Sequence, residues 1–280
     1  MTGIYSSLSV SMRSFLWMCL VWFGLGVVGT ACYAEEEPAE EEAAETEKNG
    51  LKKILAEFEN IEVGVGDEQT PLKFNQKPLL RWPNITRKVP FGGTFIWTRD
   101  GRPEVIACIW EFEGAGLWFG IQSLSADKVI ARKGNTTFWR SDKPDIEFQK
   151  LTGAAPPTDS PVKRLSQMKE FAGRFRARVR NTGKDTEELR LLTTPIYRYT
   201  SGKIIDGTLF AFVQGTDPEV ILHLEARRHK GEKGEVTEWY YGISRRSVMP
   251  LEAMLDDKQI WSVESVWGGP SEPFFQSKLP

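Results

Sequence analysis

The chain has 280 residues, with 36 Lys and Arg against 38 Asp and Glu, three Cys and two His. A net charge of −2 argues against a polycationic nucleic-acid binder, and three cysteines in so long a chain exclude a disulfide scaffold. The length suffices for two domains, each with its own apolar core.

Residues 1–34 carry a single charge, Arg13, and run almost wholly apolar from Phe15 to Val28 before turning small at Gly29-Thr30-Ala31. This is the grammar of a secretory signal peptide, with cleavage expected after Ala34 of Cys32-Tyr33-Ala34. An uncleaved membrane anchor over Ser14–Ala34 and a lipidated Cys32 are the alternatives, and all three export the protein to the periplasm, cell envelope or exterior. Residues 35–49 hold eight Glu and one Lys with no aromatic residue, and their composition predicts a disordered acidic tether. Beyond it, Gly50–Pro280 holds 34 Lys and Arg against 30 Asp and Glu, a net of +4. Cys108 is the one cysteine of this part, so it contains no internal disulfide.

The region after the tether repeats itself. Leu79–Pro83 returns as Leu191–Pro195 at an offset of 112, Gly93-Thr94 as Gly207-Thr208 at 114, and Pro103–Ile106 as Pro218–Ile221 at 115. Trp118–Ile121 returns as Tyr240–Ile243, and Trp139 as Trp261, both at 122. Order is kept while the offset grows, as loop insertions in one of two copies would produce. The expected layout is a first repeat over 51–150, a Pro-rich linker over 151–162 and a second repeat over 163–280.

Each repeat is predicted to open with a short helix, marked by Leu51, Ile54, Leu55 and Phe58 and by Leu165, Met168 and Phe171. Strands follow at Gly93–Arg99, Leu117–Gln122, Gly207–Val213 and Trp239–Ser244, with turn chemistry at Arg99-Asp100-Gly101 and Gln214-Gly215. The fold class expected is α+β: two tandem homologous domains, each a short helix packed on an antiparallel β-meander. The second repeat carries a longer hairpin loop, Arg228–Glu235, where the first has only Glu113–Gly116.

No Gly-x-Ser-x-Gly, Cys-x-x-Cys, His-Glu-x-x-His or phosphate-loop motif is present. The candidate metal or acid–base site is His223, Glu225 and His229, which include both histidines. At strand period His223, Glu225 and Arg227 share a face. Two imidazoles and a carboxylate could bind a metal with a position open; the alternative is a face left open to water. The equivalent face of the first repeat, Ile106, Cys108, Trp110 and Phe112, is apolar.

Arg174, Arg176, Arg178 and Arg180 alternate with Phe175, Ala177 and Val179, a ladder that would either grip an anionic polymer or guard an edge strand. Of the eight tryptophans after the leader, Trp97 and Trp110 align with Ala211 and Glu225 and are the candidates for a repeat-specific binding surface.

The runs Leu189–Tyr199 and Asp206–Glu219, with Pro78–Trp82, Gly101–Val105 and Phe171–Phe175, resemble a group of exported, uncharacterised proteins of planctomycete bacteria. The resemblance spans about two hundred residues. It implies export and a bacterial envelope setting, and brings no activity, cofactor or catalytic residue. The function expected is a non-catalytic, exported module binding a ligand, an envelope component or an anionic polymer, with no cofactor and no nucleic acid. The alternative is an enzyme with a metal or acid–base site in the second repeat.

Overall fold

The structure, a computed structural model, describes residues 37–84, 88–112, 114–180, 186–232 and 234–279, and no side chain of 37–44 or of 46. The export segment expected at 1–34 lies outside the described residues. The chain divides into two compact units, Met1–Glu40 and Glu41–Pro280. Of the first, only the opening residues of a helix are described, and both expected repeats lie in the second.

Among the described residues the protein is mostly antiparallel β-structure with two helices. Helix α1 (Glu37–Phe58) begins inside the acidic tract expected to be a tether. Its glutamates crowd the N-terminal end, where a helix dipole favours negative charge, while Ile54 and Phe58 of the last turns are buried. Strands β1 (Ile61–Val65), β2 (Thr70–Pro71), β3 (Lys73–Phe74), β4 (Leu80–Asn84), β5 (Val89–Arg99), β6 (Arg102–Phe112), β7 (Gly116–Ser123), β8 (Val129–Lys133), β9 (Thr136–Ser141) and β10 (Gln149–Lys150) complete the first half.

The second half opens with α2 (Pro161–Ala172), capped by the Ser160 hydroxyl, which accepts from Lys163 N–H, and started by proline at its first position. There follow β11 (Phe175–Val179), β12 (Glu187–Leu191), β13 (Tyr197–Ser201), β14 (Ile204–Gln214), β15 (Asp217–Gly231), β16 (Gly234–Arg245), β17 (Leu251–Leu255), β18 (Lys258–Val263) and β19 (Phe274–Lys278). The supposed long loop at Arg228–Glu235 is instead an extension of β15 and β16, paired as far as Gly231 with Gly234. The Pro-rich stretch expected as a linker is tied down at two carbonyls. Ala155 O accepts from Trp239 Nε1 and Pro156 O from Gln167 Nε2.

Nine strands form one sheet in the order β10-β16-β15-β14-β12-β11-β17-β18, with β13 also on β14. Its apolar cluster joins Met168, Phe171 and Ala172 of α2 to Phe210, Leu222, Leu224 and Trp239. The other strands form a six-stranded sheet, β19-β7-β6-β5-β3 with β4 on β5, and a four-stranded one, β2-β1-β8-β9. Where β12 pairs with both β14 and β11, the first half is interrupted at buried Leu72, between β2 and β3.

The terminal strands cross over. β10, at the end of the first half, pairs with β16, while β19, at the chain's C-terminal end, pairs with β7. Each sheet is thus completed by the other half. Between them lies a third cluster, in which Ile96, Ile106 and Leu124 pack with Leu209, Ala211 and Ile221.

Some hydrogen-bond registers recur between the halves. Gly120 opposes Cys108 as Gly242 opposes His223, and Trp139 opposes Ala131 as Trp261 opposes Ala253, each pair followed by a bulge. Gly207, however, stands opposite Glu225 as Gly92, not Gly93, stands opposite Trp110. The offset there is 115, one more than expected. The Leu79–Leu191 match fails too: Leu79 N–H donates to Thr94 O, whereas Leu192 N–H donates to Ala211 O, a different place in the ladder.

Candidate functional site

Residues of β15 alternate between two apolar clusters. Val220, Leu222, Leu224 and Ala226 face α2, whereas Ile221 faces the first half. By strand period His223, Glu225 and Arg227 continue the face of Ile221. That face is not open to water: His223 is 2% exposed and Glu225 fully buried.

Glu225 is the anchor of the site. Tyr199 donates its hydroxyl hydrogen to Glu225 Oε1 at 2.5 Å, and Arg227 Nε donates to Oε2 at 2.5 Å. From the first half, Arg102 Nε approaches Oε1 at 3.6 Å, and Arg102 also pairs with buried Glu104 at 3.3 Å. Burial lowers the Arg102 pKa, but Glu225 and Glu104 outweigh it, and the net shift is upward. Burial and then the Glu225 charge push the Tyr199 hydroxyl well above its ordinary value, so it remains a donor. His223, desolvated and facing Arg102 and Arg227, is pushed down to about 3. It is neutral near pH 7 and shares a hydrogen bond with Ser244 Oγ at 3.1 Å.

Above this layer a cavity of about 500 Å³ opens at the junction of the halves, lined by Arg102, Phe148, Lys203, Arg227, Arg228 and Tyr240 among others. Phe148 precedes the crossed strand β10, and the Arg227 guanidinium lies 3.9 Å from its ring centroid and 5.1 Å from that of Tyr240. Among the described residues the lining contains four Arg and Lys side chains and no carboxylate. A smaller cavity of about 280 Å³ lies against the first half's sheet and is lined by Trp82, Cys108, Trp110 and Phe112 among others. Trp82 there covers Gly92 as Tyr199 covers Gly207.

The expected metal set does not assemble. His223 is held by Ser244, while His229 lies six residues along the same strand and bonds Glu238 at 2.8 Å. A strand rises about 3.3 Å per residue, so the two backbones stand roughly 20 Å apart. Among the described residues no group of three or more His, Cys, Asp or Glu could hold a metal ion.

The arginine ladder is not on an edge, because β11 pairs with β12 on one side and β17 on the other. Its charges are met one by one: Arg174 by Asp256, Arg176 by Asp257, Arg178 by Glu252, and Arg180 by Glu252 and Glu264. Trp97 is no surface residue. It is 1% exposed and packs edge-on against Phe58 of α1. Trp110, 9% exposed, lines the smaller cavity.

Sequence reasoning missed Arg102, Tyr199, Phe148, Lys203 and Tyr240. Arg102 carried a signal, since the 115 offset sets it against Asp217, a reversal of charge at matched positions. Phe148 carried none, because a two-residue strand leaves no periodicity to read. Among the described residues no helix is long and apolar enough to cross a membrane. In comparisons with known proteins the chain matches no family model, no curated protein and no solved structure.

Proposed function

We propose that the protein is an exported, non-catalytic binding module, built as a tandem duplication of one helix-plus-meander unit whose copies exchange their last strands. The duplication reading is supported by the recurring order of strand pairings, by the paired bulges after Ala131 and Ala253, and by the crossing of β10 and β19. Export is supported by the leader grammar of residues 1–34 and by the resemblance to exported planctomycete proteins.

One observation carries the binding reading. At matched ladder positions the first half places Cys108, Trp110 and Phe112, and the second places His223, Glu225 and Arg227, beneath a larger, cation-lined cavity. Apolar packing therefore satisfies such a face, and a buried ion pair there carries a desolvation cost that stability alone does not require. The groups that acid–base chemistry would need are committed elsewhere, Glu225 to Tyr199 and Arg227 and His223 to Ser244.

The test incubates residues 35–280 with a panel of saccharides and small organic anions, reading thermal stabilisation and product formation by mass spectrometry. Saturable stabilisation without turnover is the expected result. Turnover of any compound in the panel would favour the enzyme alternative.

A further inference from the structure

We infer that the cleft between the halves is a receptor for an oxyanion group, a phosphate, sulfate or carboxylate, carried on an organic body that contacts Tyr240. The inference rests on the binding-module reading and names its ligand class.

The Arg227 guanidinium is fixed before any ligand arrives. Its Nε and Nη2 both lie 2.5 Å from Glu225 Oε2, and its plane is held over Phe148. That leaves Nη1 with no hydrogen-bond partner among the described residues. Arg102 is held likewise, by Glu104 and Glu225 and by Nη1 contacts to the carbonyls of Pro103 and Leu124, with Nη2 donating no hydrogen bond among the described residues. A guanidinium whose orientation is set by a carboxylate behind it loses little freedom when its other edge takes an oxyanion.

Charge points the same way. Lys203 is exposed on the rim with no ion pair among the described residues, and Arg228 has only Glu235 at 3.8 Å, both largely solvated. With Arg102 and Arg227 these make four cations above two buried carboxylates, Glu104 and Glu225. The arginine ladder of β11 offers no such surplus, because each of its four charges has its own carboxylate.

Size and lining then exclude a bare ion as the full occupant. A cavity of about 500 Å³ also lined by Leu124, Ile146 and Tyr240 has room for an organic body beside the charged group.

Isothermal titration of residues 35–280 with phenyl phosphate, phenyl sulfate, benzoate, inorganic phosphate and phenol tests this. Phenyl phosphate, phenyl sulfate or benzoate should bind 1:1, at least about tenfold tighter than phenol and than inorganic phosphate, and more weakly as salt rises. Which of the three binds tightest identifies the oxyanion. Lys203→Gln and Arg228→Gln, at exposed rim positions that leave the fold intact, should each weaken binding about three- to tenfold. Phenol binding as tightly as the anions, or anion binding indifferent to both rim substitutions, would overturn the inference. Binding of a neutral disaccharide such as cellobiose without any anion would overturn the ligand class and leave the binding-module reading standing. Absence of both would remove the two together.

Discussion

The guanidinium carbon of Arg227 lies 3.9 Å from the centroid of the Phe148 ring. The two residues belong to different halves, and they meet because the chain leaves the four-stranded sheet after β9 and lays β10 along β16. The crossing that closes the second sheet therefore also builds the floor of the cleft. Fold and site share one cause.

Glu225 is the residue on which that floor depends. Replacing it by alanine leaves Arg102 and Arg227 facing each other without their common counter-charge in a buried setting. Glu225→Ala should cost roughly 3–5 kcal/mol, as expected for removing one partner of a buried pair. Tyr199→Phe, which takes away one donor to the same carboxylate, should cost about 1–3 kcal/mol. Urea denaturation followed by tryptophan fluorescence measures both.

His223 makes stability depend on pH in a predictable direction. Its native pKa is held at about 3 by burial and by the Arg102 and Arg227 charges, against an ordinary value of 6.5. Between those limits the unfolded chain binds the extra proton more readily, so the contribution is complete above about pH 6.5 and is lost as pH falls toward 3. Asp145, raised by burial, works in the opposite sense on the acid side. The comparison is therefore between the wild type and His223→Gln, which keeps a partner for Ser244 but does not titrate. The stability advantage of the wild type should shrink as pH drops from 7 to 4; a constant difference would contradict the assignment.

Two glycines should prove intolerant of a side chain for the same reason. A Cβ on Gly207 would stand 2.6 Å from Tyr199 Cζ, and one on Gly92 2.7 Å from the Trp82 ring. Each Gly→Ala change should destabilise by about 1–3 kcal/mol through overpacking. Gly207→Ala combined with Tyr199→Ala should cost less than the sum of the two single changes, because the clash partner is gone.

The crossed strands make a prediction at a distance. Removal of residues 270–280 deletes β19, uncovers the edge of β7 and takes away the Glu272 carbonyl that accepts from Trp139 Nε1. The damage should fall on the first half, although the deletion is at the other end of the chain. Amide hydrogen exchange should show lost protection in β7 and β9 while β14 and β15 remain protected.

Much of the local structure was legible in the sequence. The turn at Asp100-Gly101 takes positive φ at both residues, 50° and 85°, as its chemistry predicts, and the β5–β6 hairpin follows from it. Setting Gly93 rather than Gly92 against Gly207 placed Trp97 opposite Ala211 and made it a surface candidate. Under the proposed duplication the ladder pairings set it against Phe212, and both are core. A slip of one in a strand turns every side chain to the wrong face.

What covers a face is not written in its periodicity. His223, Glu225 and Arg227 share a face by strand period, yet alternation alone cannot tell water from another sheet. Here the cover comes from residues more than a hundred positions away, Arg102 among them. The acidic tract is a similar case, since composition reports solvation but not the helix that Glu37–Phe58 forms.

The claim that the cleft is where this molecule binds can be tested most directly with a heavy oxyanion. Crystals of residues 35–280 soaked in selenate would report its position by anomalous scattering at the selenium edge. The account predicts density within hydrogen-bonding reach of Arg227 Nη1, lost in the Lys203→Gln, Arg228→Gln double variant. Density confined to the Arg174–Arg180 ladder, with the cleft empty, would contradict it.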